Sequence, residues 1–181
     1  MRIIAGMARG RTFDAPQGLD TRPTLDRVRE NVFNILQRKV RGAKVLDLFS
    51  GSGAMAFEAL SRGAVSAVLV DRDRAAHQVE VRNAEKLRMA ESCRILNCDW
   101  QDAQRRLQGE VFDVIFLDPP YRMHDLTAVF TALRPMMAED AVILLEHEAA
   151  AFPAVADGFA LYDSRKYGVA GVSFFRRVDV E

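Results

Sequence analysis

Residues Val45–Leu60, VLDLFSGSGAMAFEAL, decide the fold. An apolar run through Phe49 stops at a Ser-Gly-Ser-Gly turn, and a helix-forming stretch follows and closes at Gly63. Strand, glycine turn and helix in that order open a βαβ unit whose turn faces a ligand. Gly51 and Gly53 remove a Cβ from the turn, so the backbone can approach that ligand. Taken alone, the G-x-G-x-x-A spacing fits a nicotinamide or flavin equally well.

Outward from this stretch, strands and helices alternate. Val65–Asp71, Cys93–Asp99, Val111–Asp118 and Asp140–Glu148 read as further strands. Helical stretches lie between them at Arg74–Met89, Trp100–Leu107 and Leu126–Met136. Two last strands, Phe159–Gly168 and Gly171–Val178, are joined by a glycine turn and so run antiparallel. The pattern predicts an α/β fold: a doubly wound, mostly parallel, seven-stranded sheet with an antiparallel C-terminal hairpin.

Before Gly42, RIIAG (Arg2–Gly6) and RTFDAP (Arg11–Pro16) read as a short β-hairpin. A helix over Arg22–Leu36 follows, capped by Thr24, with Val28, Val32, Phe33, Ile35 and Leu36 on one face. The chain therefore divides into a small extension, residues 1–41, and a main domain, residues 42–181.

The formal net charge is zero, but it is unevenly spread. Residues 1–41 carry nine Lys and Arg against four Asp and Glu; the remainder carries sixteen against twenty-one. A basic arm on an acidic body points to a polyanionic partner, with Arg2, Arg9, Arg11 and Arg22 as phosphate contacts. No apolar run is long enough to cross a membrane, and the amino end is too basic for a secretory signal. Cys93 and Cys98 lack the spacing of a zinc site and read as reduced packing residues. A soluble, cytoplasmic monomer that needs no metal is expected.

Acidic residues end successive strands. Asp47 sits inside the first strand, near where a cationic amino acid moiety could bind. Asp71 can accept hydrogen bonds from both hydroxyls of a ribose, and Asp99 from an adenine amine, with Trp100 over the purine face. Asp71 and Asp99 also fit as helix caps, and Trp100 as a core residue. Together the set suits the ammonium, ribose and adenine of S-adenosylmethionine better than a pyrophosphate.

The fourth strand ends FLDPPY, Phe116–Tyr121. Two prolines stop the ladder and stiffen the exit, so Tyr121 stands at a fixed offset from Asp118. A [D/N/S]-PP-[F/Y/W] loop at this place resembles that of methyltransferases acting on exocyclic amines of nucleobases. The Asp118 carboxylate and Pro119 carbonyl can accept the amine hydrogens, Pro120 holds the loop, and Tyr121 can stack on the base. A carboxylate suits the paired N1–H and N2 donors of guanine, although some adenine-N6 enzymes resemble this loop with the same Asp.

IIAGMARGRTF, RPTLDRVRENVFNIL, LDLFSGSGAMAFEALSRGA, DRD and FLDPPY resemble, in order and spacing, the RsmD-like 16S ribosomal RNA (guanine-N2) methyltransferases. The resemblance covers nearly the whole chain. It implies a class I, Rossmann-like methyltransferase that uses S-adenosylmethionine to methylate one guanine of 16S rRNA in an assembling small subunit. By matching position it implies Asp47, Gly51, Gly53, Asp71 and Asp99 as cofactor residues, and Phe49 and Trp100 complete the expected cofactor set. Asp118–Tyr121 becomes the catalytic loop, and Thr24 and Arg27 lie near the cofactor or target nucleotide. An adenine-N6 methyltransferase is the alternative within this chemistry, and a nicotinamide-dependent oxidoreductase the alternative outside it. His77, His124 and His147 stand singly and read as solvated or structural.

Overall fold

Strand β1 (Lys44–Leu48) is buried beyond its first residue, because helices cover both faces of its sheet. It pairs in parallel with β2 (Ser66–Asp71) on one side and with β4 (Phe112–Leu117) on the other. Strand β3 (Cys93–Asn97) extends the sheet beyond β2, and β5 (Met137–Glu148) lies parallel beside β4. The hairpin of β6 (Phe159–Tyr167) and β7 (Ala170–Arg177) completes it, β7 running antiparallel to β5. The order is β3-β2-β1-β4-β5-β7-β6, the mixed seven-stranded sheet expected. The computed structural model describes residues 1–16 and 23–178, and for residues 23–25 the backbone alone.

Helices α3 (Ala54–Ser61) and α4 (Arg74–Leu87) follow β1 and β2, as α5 (Trp100–Arg106) follows β3 and α6 (Thr127–Leu133) follows β4. Strand order reverses between β1 and β4, so the loops leaving their carboxyl ends part and leave a crevice. The glycine turn and the DPPY loop are those two exits.

Before β1, helix α1 (Pro23–Ile35) and the short α2 (Gln37–Val40) precede the turn at Gly42. Helix α1 begins at Pro23, which suits a first helical position, so Thr24 falls inside the first turn rather than capping it. The Thr24 side chain and all of Arg22 lie outside the described residues. Ile35 leaves the buried face, because two residues along a helix turn the side chain about 200° from Phe33.

The expected N-terminal hairpin is reduced to one antiparallel bridge, Arg2 with Thr12. Several of the arm's other backbone donors go to α3. Glu58 accepts the N–H groups of Ile4 (2.8 Å) and Ala5 (3.0 Å), and the Ser61 carbonyl accepts that of Met7 (2.8 Å). Gly6 passes so close that a Cβ there would run into the Ser61 carbonyl. Ile3, Ala8 and Phe13 join Val32, Phe33, Phe57 and Phe116 in one hydrophobic cluster. The arm and α1 thus share a core with the sheet. Among the described residues no helix is long and apolar enough to cross a membrane.

Candidate active site

Two cavities open at the carboxyl ends of the strands, of about 580 and 490 Å³, and share Phe49, Asp71, Arg72 and Pro120 as a common wall. The larger is lined by Asp47, the glycine turn, Asp118–Tyr121, Leu144, Glu146 and Val172, and by Arg29 from α1. The smaller lies at the ends of β1 and β2, between the loops that follow β3 and β4, and is lined by Asp99, Trp100 and Arg122. Sizes of a few hundred Å³ suit small ligands.

In the glycine turn, Phe49 has φ +73°, a left-handed conformation that a bulky side chain rarely adopts. It is held there by hydrogen bonds from Phe49 N–H (2.9 Å) and Ser50 N–H (3.0 Å) to the Val70 carbonyl. Such strain concentrates at ligand sites. Gly51, at φ +58°, has nothing within 4 Å of where a Cβ would stand, so its backbone is bare to the cavity. Gly53 behaves differently from expectation. A Cβ there would press on Phe57 and Leu69, so this glycine serves helix packing rather than ligand approach.

Carboxylates hold the turn from below. Asp71 accepts the Gly51 N–H at 2.9 Å on one oxygen and the Asp73 N–H at 2.8 Å on the other. Buried Asp47 accepts the Ala56 N–H at 3.1 Å. Its burial, with Asp71 nearby, pushes its pKa up to about 7 against that hydrogen bond. Glu80 on α4, missed in the sequence, is wholly buried and bonded to the Ser50 hydroxyl. Burial pushes its pKa up to about 8, opposed by the Ser50 bond and assisted by Asp47 and Asp71.

On the other side of the shared wall, Asp99 caps α5, accepting the Asp102 N–H at 2.8 Å on one oxygen. The capping alternative is therefore real, and it leaves a second oxygen on an exposed residue lining the smaller cavity. Half-buried Trp100 lines the same cavity.

Asp118 is exposed to the larger cavity, with protein crowding its other sides. That crowding, which costs the carboxylate part of its hydration, then the charges of Glu146, Asp47 and Asp71, raise its pKa above the usual carboxylate range. Glu146, also missed in the sequence, is raised by burial. Tyr121 is 48 % exposed and free to receive a flat partner.

The expected basic contacts scatter. Arg27 is exposed and lines neither cavity; Arg29, two residues on, is the α1 arginine in the wall. Arg29 is 4 % exposed, bonds Asp26 at 3.0 Å and the Arg2 carbonyl at 2.6 Å, and lies 3.8 Å from Glu58. Arg2 meets Asp26 at 3.3 Å. Arg11 donates to the Leu87 carbonyl at the end of α4, and Arg9 sits on the turn held by Ser61 at the end of α3. Arg9 and Arg11 thus lie by the C-terminal ends of these helices and line neither cavity. His147 is structural: its ring lies 2.9 Å from both the Glu148 carbonyl and the Ser173 hydroxyl.

The family described as Conserved hypothetical protein 95 matches residues 1–176. Ribosomal RNA small subunit methyltransferase D of Escherichia coli strain K12 is 34% identical over 180 residues, 98% of this chain and 90% of that one. The chain belongs to the RsmD-like rRNA methyltransferase family. Among solved structures, "Putative methyltransferase yhhF from Escherichia coli" superposes with a TM-score of 0.84 at 33% identity, covering 99% of each chain. A structure of SMU.776 complexed with SAH shares the fold, with a TM-score of 0.68 at 18% identity over 81% of this chain and 48% of that one. Within the RsmD-like family fold, the strand-end loops described above are the cleft.

Proposed function

We propose that this protein transfers a methyl group from S-adenosylmethionine to the exocyclic N2 amine of a guanine in 16S rRNA, within an assembling small subunit. One observation carries the reading: the glycine turn with Asp47 and the Asp118–Tyr121 loop line a single cavity, which adjoins a second one across Phe49 and Asp71. A cofactor half in each cavity would put its centre at the shared wall, beside Asp118.

The residues fit that cofactor. Asp47 is a buried carboxylate with one hydrogen bond and no cation paired with it among the described residues, a setting that favours an incoming ammonium. Asp71 retains lone pairs for ribose hydroxyls, and Asp99 retains an oxygen for an adenine amine. When bound, S-adenosylmethionine supplies an electrophilic methyl group on a sulfonium.

The chain's own residues do the rest. Asp118 and the Pro119 carbonyl accept the hydrogens of the target amine, aim its nitrogen and stabilise the positive charge that develops there. Tyr121 stacks on the base, while Leu144, Pro120 and Val172 keep water out. A cation and a donor-rich base edge both favour ionised Asp118, whose raised pKa then suits it to take the surplus amine proton.

Small-subunit particles and 16S rRNA from a strain lacking this gene, incubated with purified protein and labelled cofactor, should yield labelled N2-methylguanosine. Labelled N6-methyladenosine would replace the guanine reading with the adenine one. No transfer to either substrate would overturn both.

A further inference from the structure

Leu117 of β4 and Leu145 of β5 are register partners, so Asp118 and Glu146 leave neighbouring strands side by side at the next position. Residues two apart on a strand share a face, and Leu144 and Glu146 both line the larger cavity. Glu146 is anchored by its pairing with Val172 of β7 and directly follows Leu145, which pairs with Leu117 of β4. Among the described residues no hydrogen bond reaches either carboxylate. Two unpartnered carboxylates on rigid strands, in a cavity with an exposed tyrosine and an apolar floor, are a donor-seeking pair.

Guanine has a matching edge. Its N1–H and N2 amine are adjacent donors, whereas adenine places an acceptor at N1 beside its amine. With Asp118 on the amine, the neighbouring carboxylate falls to N1, and the extra methylene of Glu over Asp gives it the longer reach. We propose that Glu146 reads the target base by accepting the guanine N1–H, so that Asp118 and Glu146 together select guanine over adenine. The inference rests on the guanine reading above and assigns its specificity to a residue outside the DPPY loop.

The probe is 2-aminopurine placed by ligation at the modified position of the rRNA: it keeps the amine and stacking face but has an acceptor at N1. Binding is measured at equilibrium with S-adenosylhomocysteine present, for wild type, Glu146→Ala and the near-isosteric Glu146→Gln. Wild type should prefer the guanine RNA by about 10- to 100-fold, the range for one hydrogen bond to a charged group. The ratio should fall to near one in Glu146→Ala and shrink in Glu146→Gln. Calorimetry with S-adenosylhomocysteine confirms that each variant is folded; if Glu146→Ala is not, the Gln variant decides. A wild-type ratio near one, or a ratio unchanged in the folded variants, overturns the inference. Single-turnover formation of N2-methylguanosine by wild type on the guanine RNA is scored separately, and its absence would overturn the parent reading instead.

Discussion

Asn83 of α4 clasps the backbone of Asp14 with both ends of its amide: Oδ1 accepts the Asp14 N–H at 2.8 Å, and Nδ2 donates to the Asp14 carbonyl at 2.9 Å. The same Nδ2 donates to the Ser52 carbonyl at 3.1 Å. One wholly buried side chain therefore ties the N-terminal arm to the glycine turn.

Asn83→Ala leaves these backbone groups without their partner, and should cost about 1–3 kcal/mol of stability. Asn83→Asp keeps the acceptor but sets a carboxylate against two carbonyls, and should cost at least as much. Urea titrations measure both. Cofactor affinity should fall with the alanine change, since Ser52 loses its anchor; full affinity would show that the arm and the turn are independent.

That coupling was not legible in the sequence, and the reason is physical. Strands β1, β2 and β4 were readable because burial on both faces makes them continuous apolar runs, and their terminal carboxylates stood out against that background. Glu146 carries the same signal after Ala141–Leu145, but His147 and Glu148 follow it and make the strand end look like ordinary solvated charge. Asn83, Glu58 and Arg29 take their meaning from partners distant in sequence, which no periodicity reveals. The Gly53 role depends on Phe57 and Leu69 meeting over it, again a tertiary fact.

Asp47 ties cofactor binding to pH. Its pKa in the free protein is about 7, and an ammonium beside it favours the ionised form, so binding expels a proton. Affinity should rise as pH rises from about 5 towards 7 and then level off. At pH 6, calorimetry in two buffers of different ionisation heat should show the release of close to one proton per ligand. Equal heats in the two buffers would mean that Asp47 does not face the cation.

Glu80 makes the opposite kind of statement, about stability. Its folded pKa, about 8, stands above the ordinary 4.5, so the folded state holds the proton more tightly than the unfolded chain. The stabilisation is complete below about pH 4.5 and is lost as pH rises through 8. Glu80→Gln removes this titration, so the Tm of the cofactor-free variant should fall less than that of wild type between pH 6 and 9. Parallel curves would place the titration elsewhere.

The arm's role in RNA binding is a separate proposal, and the structure narrows how it could work. Arg9 and Arg11 line neither cavity, so the phosphates they would contact lie outside the base pocket. Replacing both with Ala should flatten the salt dependence of rRNA binding by about one to two units of log–log slope. Single-turnover methyl transfer at saturating RNA should be untouched. An unchanged slope would leave the arm a packing element, as its contacts with α3 already make it.

Asp118→Asn separates chemistry from folding. The carboxylate sits beside Glu146 with its pKa raised by poor solvation and by its acidic neighbours, so it adds repulsion rather than stability to the cofactor-free protein. Removing its charge should leave the Tm at pH 8 unchanged or higher. The substituted amide has one acceptor oxygen, so it either turns that oxygen to the base or opposes a donor with a donor, and it stabilises developing positive charge less well than a carboxylate. Methyl transfer at saturating RNA and cofactor should then fall at least about 100-fold, the scale of losing one preorganised electrostatic partner. Tyr121→Ala should instead weaken RNA binding by about 1–3 kcal/mol through lost stacking, while Tyr121→Phe retains most activity. Single-turnover rates and thermal melts on the three variants distinguish these effects. A folded Asp118→Asn protein that transfers methyl groups at the wild-type rate would remove Asp118 from the chemistry and leave the DPPY loop a scaffold for Tyr121.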